Sequence, residues 1–375
     1  MGKLLILLAV STVLAYFSQQ NTVLCYHTGT PYRPSRDWAY VALVTLLVFF
    51  AGLRYEWNDT GNYIGIFRNA PFLMEYLQGE TIRDVFANPL FYLLISGFKS
   101  FFNNEYAFLF VTSCFTQCCF LWFIKRYSAN FIFSVFLYFT LGTFCFTMAA
   151  LKQVLAMSVL MLGMPCLERR QWLRYYLMVF IAMTIHTYSL AFAFLPLFRF
   201  RPWSMRTLLF LGLVFSVMMN FEGVITSFLD SADDMGKTIY SEDVLNNTSL
   251  NLLRVLVYSA TPFVTFLLRG WLFRDSRPEH NLLTHMSLIS FAFMLLGTQN
   301  GANMFARMGT YFEVGTICIL PWVIPRSFEK RSAKLVSTAI VVLFLGYFFY
   351  EFTIAKSFSS FRAFTLWEFI LRLFR

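Results

Sequence analysis

The chain has 375 residues, of which 58% are Ala, Val, Ile, Leu, Met, Phe, Trp, Tyr or Cys and only 13% are charged. Soluble domains carry about twice that share of charged residues, so the composition excludes a soluble globular protein, a disordered tail and a disulfide scaffold. The net charge is +10, from 30 basic and 20 acidic residues. The basic residues cluster in short loops between apolar runs, which is typical of a membrane protein. The charge therefore does not predict nucleic-acid binding.

Apolar runs of roughly 17–25 residues recur along the chain and predict an all-α, polytopic membrane protein. We expect a single domain over residues 1–355 that forms a bundle of about ten to twelve transmembrane helices. The segment 356–375 is predicted to be an interfacial, amphipathic C-terminal helix. The predicted membrane segments are 3–19, 38–53, 88–102, 105–124, 129–148, 150–167, 174–198, 205–221, 252–269, 282–298, 309–325 and 335–353. The first has features of a signal peptide, but no Ala-x-Ala site follows it, which favours a retained helix.

Charge assigns the loops to sides of the membrane. The acidic loop 222–250 is predicted to be extracytoplasmic, whereas the loops on both sides of the run 174–198 are basic and predicted to be cytoplasmic. Either this run is re-entrant, with a break near His186 that lines a protein cavity, or the chain makes twelve full crossings. The short run 88–102 begins Asn88-Pro89 and could dip into the membrane in the same way. Both topologies place the tail outside, in conflict with its basic charge.

Polar and ionisable side chains at or within membrane segments are the informative residues, because a charge costs about 3 kcal/mol at the centre of a membrane helix. Such residues usually face a pathway or a site. They are Arg54, Asp59 and Tyr63 after the second segment, Lys152 and Gln153 between two apolar runs, His186, Arg254, and Arg307 with Tyr311. Each group also has an ordinary explanation: an interfacial aromatic belt, a tight hairpin, a neutral core histidine, or an arginine in a loop.

Three of these arginines, Arg54, Arg254 and Arg307, fall on the predicted outer side and could form a cationic pocket there. The planar guanidinium gives bidentate, charge-assisted hydrogen bonds to phosphate. A phosphate ligand that is embedded in the membrane and reached from outside suggests a lipid pyrophosphate.

No metal and no cofactor are expected. The spacing of the seven cysteines and four histidines predicts no zinc site. The carboxylates of Asp230, Asp233 and Asp234 could suggest a divalent cation, but we interpret them as a solvated face of the acidic loop.

Four motifs follow one another along the chain. They are Arg-x4-Asp-x3-Tyr at Arg54, Asp59 and Tyr63, a basic residue and Gln at Lys152 and Gln153, Ala-x3-His at Ala182 and His186, and Arg-x3-Tyr-Phe at Arg307, Tyr311 and Phe312. Their order resembles the EpsG-type branch of the Wzy-like polysaccharide polymerases over about residues 38–325. The second motif carries Lys where the family pattern has Arg, which keeps the charge and loses the bidentate fork.

The resemblance implies a GT-C-like, metal-independent glycosyltransferase in the bacterial inner membrane, with its active site on the extracytoplasmic side. It would join undecaprenyl-diphosphate-linked repeat units, as donor and acceptor, into O-antigen, capsule or exopolysaccharide, and a chain-length regulator would be a further partner. The residues implied to bind diphosphate or substrate are Arg54, Lys152, Gln153, Arg254, Arg307, Tyr311 and Tyr63. The catalytic base would be Asp59 or His186.

Other functions stay open at this point. A lipid-linked glycan flippase or transporter fits the same composition, although many transporters carry internal repeats and none is visible here. An O-antigen-ligase-type transferase would have related architecture and a different acceptor. A membrane acyltransferase would use a histidine or an acidic base, and a cytoplasmic position of His186 would favour it.

Overall fold

Helices make up nearly all of the regular structure in the described part of the chain. The computed structural model describes residues 1–28, 33, 36–79, 88–219, 250–298, 302–355 and 358–373. In chain order the elements are α1 (Gly2–Thr28), α2 (Trp38–Gly52), β1 (Arg54–Glu56), α3 (Thr60–Asn69), α4 (Leu73–Gln78), α5 (Pro89–Phe101), α6 (Glu105–Tyr127), α7 (Phe131–Thr140), α8 (Thr143–Ala149), α9 (Leu151–Glu168), α10 (Trp172–Ile185), a 3₁₀ helix (Thr187–Phe198), α11 (Met205–Met219), α12 (Leu252–Leu267), α13 (Arg269–Leu272), α14 (Pro278–Leu296), α15 (Ala302–Ser327), α16 (Lys330–Tyr350), a π turn (Glu351–Ala355), a 3₁₀ turn (Phe358–Ser360), β2 (Arg362–Ala363) and α17 (Leu366–Leu373). Every predicted membrane segment overlaps a helix.

Among the described helices, five are long and apolar enough to cross a membrane, namely α1, α6, α9, α15 and α16, and the bent pair α7–α8 would make a sixth. Five further apolar helical segments are shorter, in α2, α10, the 3₁₀ helix 187–198, α11 and α12. The prediction of an all-α, polytopic membrane protein is confirmed. The number of crossings, the re-entrant segment and the GT-C-like architecture stay predictions.

The span formed by α7 and α8 is bent by 53° at a glycine. Gly142 has a φ of +88°, which residues with a Cβ adopt only with strain. A Cβ at this position would also touch the ring of Phe352. A second irregularity follows at Ala150, so α8 and α9 are separate helices and Lys152 lies in the first turn of α9.

The helices pack into two units, one comprising Met1–Pro196 and Ala339–Arg375 and the other Leu197–Thr338. In the first unit, α6 packs against α2 and α9, and α10 packs against α9. In the second unit, α14 and α15 form the most extensive pair. These two helices approach closely because Gly315 faces Met286, whose Cβ would lie 2.5 Å from a Cβ on the glycine. The single domain over 1–355 stays a prediction, since packing units are not by themselves separate domains.

Within the segment 356–375, the described residues form one α-helix, α17, which exposes Trp367 and buries Phe369. Its position at the membrane interface stays a prediction. The 3₁₀ turn and β2 precede α17, and β2 pairs antiparallel with β1. Phe358 and Phe361, which precede the helix, are buried.

A buried polar cluster joins α1, α2 and α6. Asp37 accepts hydrogen bonds from Ser18 Oγ (2.7 Å), from Asn21 Nδ2 (3.0 Å) and from the backbone N–H of Tyr40 (3.1 Å), the last of which caps α2. Lys125 Nζ lies 3.9 Å from Asp37 Oδ2 and donates to Ser18 Oγ at 2.8 Å. The Asp37 carboxylate therefore binds the N–H group at the start of α2, two side chains of α1 and the ammonium group of Lys125 on α6.

We predict that Asp37→Ala destabilises the protein strongly, because removing one partner of a buried ion pair costs about 3–5 kcal/mol. Thermal unfolding of the purified protein in detergent measures the loss. Glu168→Ala is the matched control, because it breaks the ion pair between Glu168 and Arg126, the residue next to Lys125. The side chain of Arg126 is 40% exposed. Exposed pairs contribute less than about 1 kcal/mol, so equal losses in the two variants would contradict the prediction.

Candidate functional site

Arg54, the first residue of β1, is 1% exposed. Its Nη1 donates to the carbonyl oxygen of Ala51 at 2.5 Å and to Ser113 Oγ at 2.9 Å, and its Nε donates to Thr60 Oγ1 at 3.3 Å. Its buried Nη2 has no acceptor among the described residues. Burial lowers the pKa of the guanidinium to about 10, an effect that nearby Tyr63 partly offsets. The side chain therefore carries a positive charge at neutral pH and keeps one donor for a further acceptor.

Tyr63 connects the Arg54 segment to Lys152. It lies on α3, and its hydroxyl accepts a hydrogen bond from the backbone N–H of Lys152 at 3.4 Å. Its ring also contacts Phe91 on α5, with centroids 6.2 Å apart and the rings nearly perpendicular. Residues that are far apart in sequence, from the first and second motifs, therefore meet at the start of α9.

The ammonium group of Lys152 lies over two aromatic rings of α5. Its Nζ is 4.9 Å from the centroid of Phe91 and 5.1 Å from that of Tyr92. Such contacts stabilise a cation without neutralising it. The next residue, Gln153, is 2% exposed and lies within the same turn of α9.

The helix break expected near His186 is present, and the start of α5 lies beside it. Asn88 has a φ of +59°, and Pro89 starts α5. Asn88 Oδ1 accepts from the backbone N–H of Thr187 at 3.2 Å and from Thr187 Oγ1 at 3.3 Å. His186 ends α10 in an extended conformation, and its ring lies edge-on to Tyr188 with a centroid distance of 5.0 Å. Through α5, the His186 segment is therefore linked to the residues that hold Lys152.

Asp59 lies directly before α3 and is half-buried. Its backbone carbonyl accepts from the N–H of Tyr63 at 3.1 Å, but its carboxylate makes no capping bond to α3. Among the described residues it forms no ion pair either. The Asp59 carboxylate thus lies one helical turn from Tyr63 and forms neither a helix cap nor an ion pair with a described residue.

The other predicted residues belong to the second unit. Arg254 lies in the first turn of α12 and Arg307 in α15, both half-buried, and Tyr311 is 1% exposed. The backbone N–H of Leu250 donates to the carbonyl of Gly297 at 2.9 Å, which brings the start of α12 to the end of α14. The start of α15 packs at the same end of α14. A pocket that unites these arginines with Arg54 stays a prediction.

The metal expectation concerns two regions. Within the described ranges, no group of three His, Cys, Asp or Glu side chains could hold a metal ion. Asp230, Asp233 and Asp234 lie outside the described residues.

Several contacts of the site carried no signal in the sequence. Ser113 accepts from Arg54 but is one of many small residues in α6, and Phe91 lies among 47 phenylalanines in the chain. The Asn88-Pro89 pair marks the start of a helix in the sequence, but nothing in the sequence marks Thr187 as its partner. β2 was missed because strands of two and three residues have no readable alternation.

We predict that Asn88→Gly loosens the link between the start of α5 and the break at His186. Glycine adopts the positive φ readily, so the variant removes only the two hydrogen bonds, worth about 1 kcal/mol each. Amide hydrogen exchange of the peptide containing Thr187 should become roughly 5–30-fold faster. Asn130→Gly is the control, because Asn130 caps α7 and not this junction. Unchanged exchange at Thr187 in Asn88→Gly would contradict the link.

Comparison with known proteins gives one match. Residues 37–365 match the EpsG family, a region that includes all four motifs. No curated protein and no solved structure matches the chain. The resemblance inferred from motif order is therefore confirmed, and the family suggests a polysaccharide polymerase. The protein is a multi-pass membrane protein that belongs to the EpsG family.

Proposed function

We propose that this protein polymerises oligosaccharide repeat units carried on undecaprenyl diphosphate and thereby extends a surface polysaccharide. The family match supports the polymerase class. The chemistry of the cationic site supports a lipid-linked diphosphate as the group that the protein binds.

One contrast carries the proposal. The ion pairs among the described residues are Arg68–Glu105, Lys125–Asp37 and Arg126–Glu168. Arg54 and Lys152 form none of these pairs and are held by carbonyl oxygens, hydroxyl groups and rings, as is Lys99 on α5. Neutral partners orient a cation and leave its charge uncompensated, which suits a site for an anion.

Arg54 and Lys152 would act on the leaving diphosphate. The buried Nη2 of Arg54 is a donor that lacks an acceptor among the described residues, and such a buried donor is costly unless a ligand oxygen completes it. Lysine at 152 contributes charge without a bidentate fork. Gln153 and Tyr63 would add hydrogen bonds, and Arg254, Arg307 and Tyr311 would bind further parts of the substrate.

The proposed step is a direct glycosyl transfer. A hydroxyl oxygen of the acceptor sugar attacks the anomeric carbon of the donor and forms the new C–O bond. The bond from that carbon to the diphosphate oxygen breaks, and its electron pair leaves with undecaprenyl diphosphate. The cations stabilise the negative charge that builds on this leaving group, an effect typically worth about 10²–10³-fold in rate per donor. The hydroxyl proton passes to a base.

We assign the base role to Asp59. Its carboxylate takes no part in capping α3 or in an ion pair with a described residue, and it lies one helical turn from Tyr63. His186 is the alternative base, since it is half-buried and linked through Asn88 to α5. The site would face the extracytoplasmic side of the bacterial inner membrane, where the lipid-linked units and a chain-length regulator would meet it.

We predict that Arg54→Ala, Lys152→Ala and Arg307→Ala each reduce polymer by about 10²-fold or more. The readout is a polysaccharide ladder gel from the native host, with membrane levels checked by blot. A single repeat unit should still reach the surface, because export and ligation survive when chain growth stops. Arg68→Ala is the control: the same residue type on α3, with a side chain that is 60% exposed.

Two other outcomes would contradict the proposal. Loss of every surface glycan, single units included, would favour a flippase or a ligase. An unchanged ladder in all three variants would exclude these residues from the site.

We predict that Asp59→Asn slows chain growth about 10²–10⁴-fold, which is the usual contribution of a general base, and that His186→Gln has a smaller effect. Incorporation of labelled repeat units by membranes that contain equal amounts of protein measures both rates. Glu75→Gln, an exposed carboxylate on α4, should retain the wild-type rate. A larger loss in His186→Gln than in Asp59→Asn would move the base assignment to the histidine.

A further inference from the structure

The C-terminal residues 358–373, here named the strap, hold the main chain around Arg54. β2 pairs with β1 so that Arg54 is opposite Ala363 and Glu56 is opposite Arg362. The backbone N–H of Phe364 donates to the carbonyl of Leu53 at 2.9 Å. The pairing is irregular between Arg54 and Glu56, and irregularities of this kind re-aim side chains beside active sites.

Aromatic rings of the strap stack on rings of the Arg54 segment. Phe361 lies 4.9 Å from Phe50 with the rings 7° from parallel, and Phe364 lies 4.5 Å from Tyr55. A third pair joins Phe358 to Trp57 at 5.2 Å. Aromatic pairs add about 0.5–1.5 kcal/mol each beyond their buried area. The strap therefore packs against residues on both sides of Arg54 in the sequence.

The strap is also attached to α6. Asn104 Nδ2, at the cap of α6, donates to the carbonyl of Arg372 at 2.7 Å, and the Arg372 guanidinium lies 5.6 Å from the ring of Tyr106 and 4.6 Å from that of Phe364. Phe369 contacts Phe110 at 5.3 Å. Because α6 carries Ser113, the strap joins β1, which carries Arg54, to one of the three helices whose groups bind the guanidinium.

We propose that the strap is a positioning element for Arg54: it fixes β1 relative to α6 so that the guanidinium keeps its bonds to Ala51 and Ser113 while Nη2 faces the substrate. The proposal rests on the proposed function of Arg54. Without the strap, β1 has no partner strand among the described residues, and the arginine is free to follow its main chain away from Ser113. Catalysis then falls although the membrane helices remain folded.

Phe364→Ala tests the proposal, because it removes the ring that contacts both Tyr55 and Arg372. Trp367→Ala is the matched control: its ring belongs to the same strap and is 68% exposed. Both variants are compared with the wild type by ladder gel, membrane level and thermal unfolding. We expect Phe364→Ala to lower polymer per folded molecule at least 10-fold and Trp367→Ala to leave it within about twofold. Equal losses would show that the strap acts as a membrane anchor and would overturn the proposal.

A rescue experiment separates positioning from folding. Glu56→Cys and Arg362→Cys are introduced together into the Phe364→Ala protein, so that a disulfide can restore the pairing of β1 with β2. Oxidised membranes should recover most of the polymer yield, and dithiothreitol should remove that recovery. The same cysteine pair without Phe364→Ala should polymerise in both states. A disulfide that forms without recovery overturns positioning, and failure of the cysteines to cross-link contradicts the strand pairing on which it depends.

The outcomes distinguish the strap from the proposed function. If Arg54→Ala abolishes the ladder while Phe364→Ala preserves it at normal protein levels, the strap proposal fails and the polymerase site stands. If Arg54→Ala leaves the ladder intact, the assignment of Arg54 fails first.

Discussion

The buried positive charge of Arg54 is the constraint on which the first unit depends. A guanidinium taken out of water is stable only when its donors find acceptors. Those acceptors come from three separate elements: the last turn of α2 supplies Ala51, α3 supplies Thr60 and α6 supplies Ser113. The ends of these helices must therefore lie at fixed positions before the charge can be buried. Burial of the charged Arg54 therefore depends on the positions of α2, α3 and α6.

Interrupted helices provide the second organising feature. A membrane helix that ends within the apolar layer exposes polar backbone groups, which must be satisfied within the protein. Here Asn88, at the start of α5, accepts hydrogen bonds from Thr187 beside the break at His186, and the break at Ala150 leaves the N–H of Lys152 bonded to Tyr63. These irregular positions therefore leave polar backbone groups that other parts of the first unit bind. Side chains of α5 then connect these irregularities to one another.

The charged members of the site could be predicted from the sequence, and their partners could not. Arg54, Lys152 and His186 stand out because ionisable groups are rare in apolar runs, and motif order adds Asp59 and Tyr63. Ser113 and Phe91 have no such contrast with their surroundings. The pairing of β1 with β2 joins segments that are far apart in the sequence, so no local sequence pattern predicts it. The helical class was predictable from composition alone. The short lengths of α2, α5 and α10 were not, because they depend on tertiary contacts at the helix ends.

The position of Arg372 bears on the conflict between the basic tail and its predicted outer location. Its guanidinium lies over the rings of Phe364 and Tyr106, so this charge has cation–π partners within the protein. Since the strap pairs with β1, residues 358–373 and Arg54 lie at the same end of the first unit. A reporter enzyme fused behind residue 375 would therefore report the sidedness of the arginine itself, without any label at the site.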